Sequence, residues 1–176
     1  LKNGRGGFGL PDKAAMCCGP GRGGLLRHEA VLIQGAAGGV GLAAVQLAAQ
    51  AGATVIAVSS GEKRLEKISS PGADHVIDRS SQDLVEAVQD ITKGNGVDLV
   101  IDPVGATLPS SLAVLSPESR LVFVGNAGGG NLSVDLWPAM QSNQTLHGVF
   151  MGRLFEGPGY ARWSTRYWSR WRTARS

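Results

Sequence analysis

Seven residues, GAAGGVG at positions 35–41, carry the chemistry most readily read from this chain. Taken as Ala36-x-Gly38-x-x-Gly41, they put small residues where a backbone must turn tightly and where an anion can approach main-chain N–H groups. The apolar run AVLIQ before them reads as a strand, and LAAVQLAAQAG after them, rich in Ala, Leu and Gln, reads as a helix. A helix N-terminus offers unpaired amides and the positive end of a dipole, which suits a pyrophosphate. Gly41 is expected to let the helix pack closely on the strand. A ligand-free strand-to-helix turn could share this text, but the flanking strand and helix favour nucleotide binding.

The nucleotide is specified at the end of the second strand, about 20 residues beyond the fingerprint, where a carboxylate would accept the ribose hydroxyls of NAD. Ser59 and Ser60 stand there instead, followed by Lys63 and Arg64. Hydroxyls and positive charge suit a 2'-phosphate, so NADP is the expected cofactor. The missing carboxylate also weighs against an S-adenosylmethionine-dependent methyltransferase. The blander alternative has the serines closing the strand and the cations solvating a short helix. Two further loops fall at the same sheet edge: PVG at 103–105 and GNAGG at 125–129, where Gly125 and Asn126 could present backbone groups and one amide to the nicotinamide side.

Acid–base chemistry is sparse. His28 falls in an irregular leader, His75 in a strand beside Asp74 and His147 in the last strand, with no spacing that suggests a metal cage or a catalytic dyad. Asp102 ends a strand, where a carboxylate commonly caps the following turn. Cys17 and Cys18 are too few and too close for a disulfide framework or a complete cysteine zinc site. No metal is expected and no catalytic residue is assigned. Hydride transfer requires chiefly cofactor placement, so this scarcity is compatible with a reductase.

The elements that must position these residues alternate. TVIAVS (54–59), HVID (75–78), DLVID (98–102), RLVFVG (120–125) and TLHGVFM (145–151) read as strands. Helical patterns are expected at 61–69, 83–92 and 106–115, the last with Pro109 in its first turn, while 131–144 admits no single reading. Near-continuous apolar strands separated by helices indicate an α/β, doubly wound parallel sheet covered on both faces, the three-layer αβα Rossmann dinucleotide-binding arrangement. A chain of 176 residues has room for one such domain. Residues 31–152 carry eleven acidic and six basic side chains, which argues against a nucleic-acid surface spread over the main domain.

Read together, GAAGGVGLAAVQLAAQAGATVIAV, GADHVID, VDLVIDPVG, RLVFVGNAGG and LHGVFMG resemble the cofactor-binding domain of the medium-chain dehydrogenase/reductase superfamily, in its zinc-independent quinone oxidoreductase branch. The resemblance covers roughly residues 29–152. It implies NADPH-dependent reduction of a quinone or enone, generally by a dimer paired through the last strand, with an N-terminal GroES-like domain completing the substrate cleft. It also implies that Gly38, Gly39 and Val40 contact the pyrophosphate, that Ser59, Ser60 and Lys63 surround the 2'-phosphate, and that Asn126 approaches the nicotinamide. Relatives often carry tyrosine after the VID segment; here Arg79 takes that place and could add phosphate affinity.

The ends depart from that pattern. Residues 1–29 hold eight glycines without periodicity and are expected to form an irregular leader, too short for a GroES-like domain, so independent catalysis is not expected. The dinucleotide-binding domain is assigned to 30–152 and a basic tail to 153–176. Within that tail YARWSTRYWSRWRTARS interleaves three tryptophans and two tyrosines with five arginines. Such a segment could contact nucleic acid, a membrane surface or a partner, the alternative being a nonenzymatic binding protein. The chain shows no signal segment or apolar span of about 20 residues, which points to the cytoplasm.

Overall fold

The computed structural model describes residues 19, 23–69 and 72–150. The cysteine pair, the basic tail and the final residue of the expected last strand lie outside the described residues. Within them the chain alternates: β1 (Ala30–Ile33), α1 (Gly39–Ala51), β2 (Thr54–Ser59), α2 (Glu62–Ser69), β3 (His75–Asp78), α3 (Leu84–Thr92), β4 (Val97–Asp102), α4 (Leu108–Ala113), β5 (Leu115–Phe123), α5 (Trp137–Gln141) and β6 (Thr145–Gly148).

All neighbouring strands pair in parallel, in the order β3-β2-β1-β4-β5-β6. Alternate residues of each strand feed opposite faces. Val31, Ile33, Val55, Ala57, Leu99 and Ile101 pack with Val45, Leu47 and Ala48 of α1 and Ile68 of α2. Leu32, Ile56, Val58, Val100 and Leu121 pack on the other side with Val88 of α3, Leu108 and Leu112 of α4, and Ala139 of α5. Two buried faces explain why the strands read as continuous apolar runs, and the architecture is the expected three-layer αβα sheet. The order reverses between β1 and β4, so a crevice opens beyond their carboxyl ends, where ligands of such sheets bind.

Local chemistry sets the boundaries. Asp83 caps α3 by accepting from the N–H groups of Val85 and Glu86. Gly52 closes α1 in the left-handed conformation, its N–H reaching the carbonyls of Ala48 and Ala49.

One expected boundary is corrected. The helix read over 106–115 ends at Ala113, and Leu115 opens β5, opposite Val97. Val114 and Leu115 are buried in the sheet core, which outweighs one more helical turn. The register then slips, because Arg120 is the next residue of β5 to pair, opposite Leu99. Pro117 and Glu118, the latter with φ of 61°, fall in this irregularity.

The packed body reaches upstream of Ala30. Leu25 is buried in the core, and Arg120 holds the same segment, its Nε donating to the Gly23 carbonyl and its two terminal guanidinium nitrogens pairing with the Glu29 carboxylate. Among the described residues, no helix is long and apolar enough to cross a membrane.

Candidate cofactor cleft

The fingerprint turn is built from backbone bonds to the strands around it. Gln34 N–H donates to the Ile101 carbonyl, Ala36 N–H to Val58, and Gly38 N–H to Gly35. Gly35 adopts φ of 55°, the left-handed region that glycine enters without strain. Helix α1 then starts at Gly39, inside the motif, with Gly38 as an N-cap that supplies no side-chain acceptor. Its leading amides are therefore left for an external anion. Gly41 performs the expected packing role: a Cβ there would lie 2.7 Å from the Ala36 Cα and even closer to the Gly35 carbonyl oxygen.

A cleft of about 660 Å³ opens at this edge. Its floor is Gly35 and residues 37–41; Ser59 and Arg64 form one wall, and Pro103, Val104 and residues 124–127 form the other. Gly38, Gly39, Val40, Gly41, Ser59, Gly125 and Asn126 are thus brought together, while Ser60, Lys63 and Arg79 are not among the residues lining the cleft. Arg79 stays close to it through its backbone N–H, which donates to the Ser59 carbonyl.

Arg64 is the cation on the wall, where the family resemblance assigns the phosphate contact to its neighbour Lys63. The helical turn explains why one of the two neighbours lines the cleft and the other does not: α2 begins at Glu62, and each residue rotates the side chain about 100° around the axis. The neighbouring strand β3 ends on Asp78, in register with Ser59. This carboxylate accepts from the Ser80 hydroxyl and from the N–H groups of Ser80 and Gly61. Those bonds, the Ser80 hydroxyl foremost, hold its pKa below the ordinary 3.8.

On the far wall Asn126 has a double commitment. It lines the cleft, and its side-chain amide donates to the Gly130 carbonyl, closing its own loop. Gly125 lies against Pro103, where a Cβ would be 3.1 Å from the carbonyl oxygen. Asp102 is buried completely and caps the following turn, as strand-end carboxylates do. Thr107, Ser111 and Gln34, which no sequence motif singles out, join it in one buried polar cluster.

The histidines stand away from the cleft. His28 and His75 border a shallow cavity of about 270 Å³ at the opposite sheet edge, and His147 lies in β6. Among the described residues, no group of three or more His, Cys, Asp or Glu stands together in a way that could hold a metal ion.

The family described as zinc-binding dehydrogenase matches residues 39–168, most of the chain. This chain belongs to that family. Its described residues supply no ligand set for the zinc of the family's name. A 2-haloacrylate reductase from Burkholderia sp is 44% identical over 100 residues, covering 56% of this chain and 30% of the reductase. The quinone oxidoreductase of Thermus thermophilus, solved also as its NADPH complex, superposes with a TM-score of 0.77 at 26% identity, covering 91% of this chain and 50% of that one. A mycobacterial protein complexed with NADPH gives a TM-score of 0.80 at 27% identity, with 91% and 50% covered. The chain spans half or less of the length of these family members, and what it matches is their medium-chain dehydrogenase/reductase cofactor domain.

Proposed function

We propose that this domain binds NADPH across the carboxyl edge of the sheet and presents its nicotinamide for hydride transfer to an electron-poor conjugated acceptor such as a quinone or an enone. The observation that carries the reading is one cleft joining the uncapped start of α1 to Ser59 and Arg64 on one wall and to residues 103–104 and 124–127 on the other. The amides of Gly39, Val40 and Gly41 take the pyrophosphate, with Gly38 keeping the approach free of a side chain. The Ser59 hydroxyl and the Arg64 guanidinium hold the 2'-phosphate, a planar cation suiting a phosphate in a bidentate contact. Ser60, Lys63 and Arg79 add hydroxyl and positive field from the same two loops. Val104, Gly125 and Asn126 flank the nicotinamide half.

When bound, NADPH would supply the hydride. Among the described residues the one ionisable side chain lining the cleft is Arg64, so the chain's own work there is to bind and orient. The substrate class rests on the relatives: a haloacrylate and a quinone are both conjugated acceptors that take a hydride at carbon or oxygen. A decisive variant is Gly38→Glu. Its φ of −76° accepts any residue and its Cβ would lie 3.2 Å from the Gly35 oxygen, a contact that small shifts relieve. The carboxylate would then stand in the phosphate cradle. Loss of NADPH binding with an unchanged circular dichroism spectrum supports the site; unchanged affinity overturns it.

We further propose that β6, the terminal strand of the sheet among the described residues, pairs with β6 of a second copy. An exposed strand edge carries unpaired N–H and C=O groups that another strand can satisfy. Light scattering that reads twice 18.3 kDa supports the pairing, and a persistent 18.3 kDa species contradicts it.

A further inference from the structure

We propose that the buried Asp102 carboxylate is a positioning residue for the nicotinamide end of the cleft. This inference rests on the NADPH reading and deepens it. Asp102 is the last residue of β4 and is fully buried. Its Oδ1 accepts from the N–H groups of Val104, at 2.8 Å, and Gly105, at 2.9 Å. Its Oδ2 accepts from the hydroxyls of Thr107, at 2.7 Å, and Ser111, at 2.8 Å. All four donors belong to residues 104–111, so the whole acceptor capacity of one carboxylate is spent on a single loop and the helix it enters.

A buried carboxylate is costly unless it is paired or fully hydrogen-bonded. Asp102 takes the second course: among the described residues it has no ion-pair partner, and neutral donors alone hold it. A solvated serine or asparagine would cap an ordinary turn at lower cost. What the expense secures is visible in the next layer. Pro103 and Val104 line the cleft, and Val104 Cγ2 lies 3.0 Å from where a Cβ on Gly35 would be, which wedges the loop against the fingerprint turn. The second loop is built on the first: Gly128 N–H donates to the Val104 carbonyl at 2.8 Å. Asn126 Oδ1 sits 2.7 Å from the space a Cβ on Gly105 would take.

Loop 103–105 therefore fixes where residues 125–128 stand, and Asp102 fixes loop 103–105. Ser59 and Arg64, on β2 and α2, share no hydrogen bond with this network. The carboxylate should govern one half of the cofactor cleft and leave the other alone.

The test compares two probes on the 176-residue chain: NADPH, which spans the cleft, and adenosine 2',5'-bisphosphate, which reaches the phosphate end only. In Asp102→Ala two backbone donors lose their acceptor, and NADPH affinity is expected to fall about tenfold while the bisphosphate changes by less than about twofold. Asp102→Asn keeps one acceptor oxygen for the two amides and offers an NH₂ that both hydroxyls can accept, so it should restore NADPH affinity to within about threefold of wild type. Equal losses for both probes, or no loss for either, overturn the proposal. Should Asp102→Ala not fold, the Thr107→Val, Ser111→Ala pair must show the same split, and its absence is equally fatal. Amide hydrogen exchange separates this inference from the NADPH reading itself. If wild type binds no NADPH, the variants must still show faster exchange at residues 104–105 and 127–128 with β2 and α2 unchanged; uniform acceleration refutes the positioning role.

Discussion

The Cα of Ala36 occupies the space a methyl group on Gly41 would need, 2.7 Å from the ideal Cβ position. The helix whose leading amides have no side-chain cap is thus seated directly on the turn that precedes it, with no side chain between them.

Gly41→Val should accordingly damage the fold rather than the ligand contacts alone. Overpacking against backbone costs about 1–3 kcal/mol, on the order of 2–12 °C in Tm for a chain of this size. Differential scanning fluorimetry of Gly41→Val beside Gly38→Ala checks this: the first should melt early, the second close to wild type.

Arg64 and Lys63 should separate in their effect on cofactor choice. Arg64→Gln removes a charge-assisted phosphate contact, and NADPH affinity should drop about tenfold or more with NADH affinity unchanged. Lys63→Gln, off the wall, should cost about threefold or less, and that loss should shrink further as added salt screens its field. Fluorescence titrations of both variants decide between them.

Much of this is legible in the sequence, and the failures have physical causes. Strands buried on both faces announce themselves as apolar runs, so β2 falls where TVIAVS puts it. Leu115 reads as the end of a helix because an apolar residue between helix and strand fits either, and only its pairing with Val97 decides. The five-residue helix at Trp137–Gln141 is too short to show a period. Lys63 and Arg64 differ by one residue, and which faces the cleft depends on the phase of α2. The Asp102 cluster draws in Gln34 through Ser111, 77 residues along the chain, a proximity that no local pattern reveals.

Asp78 makes a pH-dependent prediction. Its pKa in the folded chain lies below 3.8, chiefly through the Ser80 hydroxyl, so its ionised form is favoured by folding. That stability is present above the unfolded value and is lost as pH falls through the folded one. Asp78→Asn mimics the protonated side chain. Urea unfolding should find the variant less stable than wild type at pH 7, with the gap closing as pH is lowered below 3.8.

The Arg120–Glu29 pair ties the segment before β1 to β5, with side chains mostly shielded from solvent. Removing either partner leaves the other poorly solvated, and Arg120→Met or Glu29→Gln should each cost about 1–3 kcal/mol. A double-mutant cycle should return a coupling energy of about 1 kcal/mol or more, and near-additive losses would show the contact to be incidental.

Selection of NADPH by one cleft, through Ser59 and Arg64, can be measured on the chain itself. Its most direct test is a titration of the purified 176-residue chain with NADPH and, separately, with NADH, followed by cofactor fluorescence at low and moderate salt. Saturable binding of NADPH, weaker binding of NADH, and a preference that narrows as salt rises are the expected results. Equal or tighter binding of NADH would contradict the 2'-phosphate assignment, and a folded chain that binds neither would contradict the cofactor site as a whole.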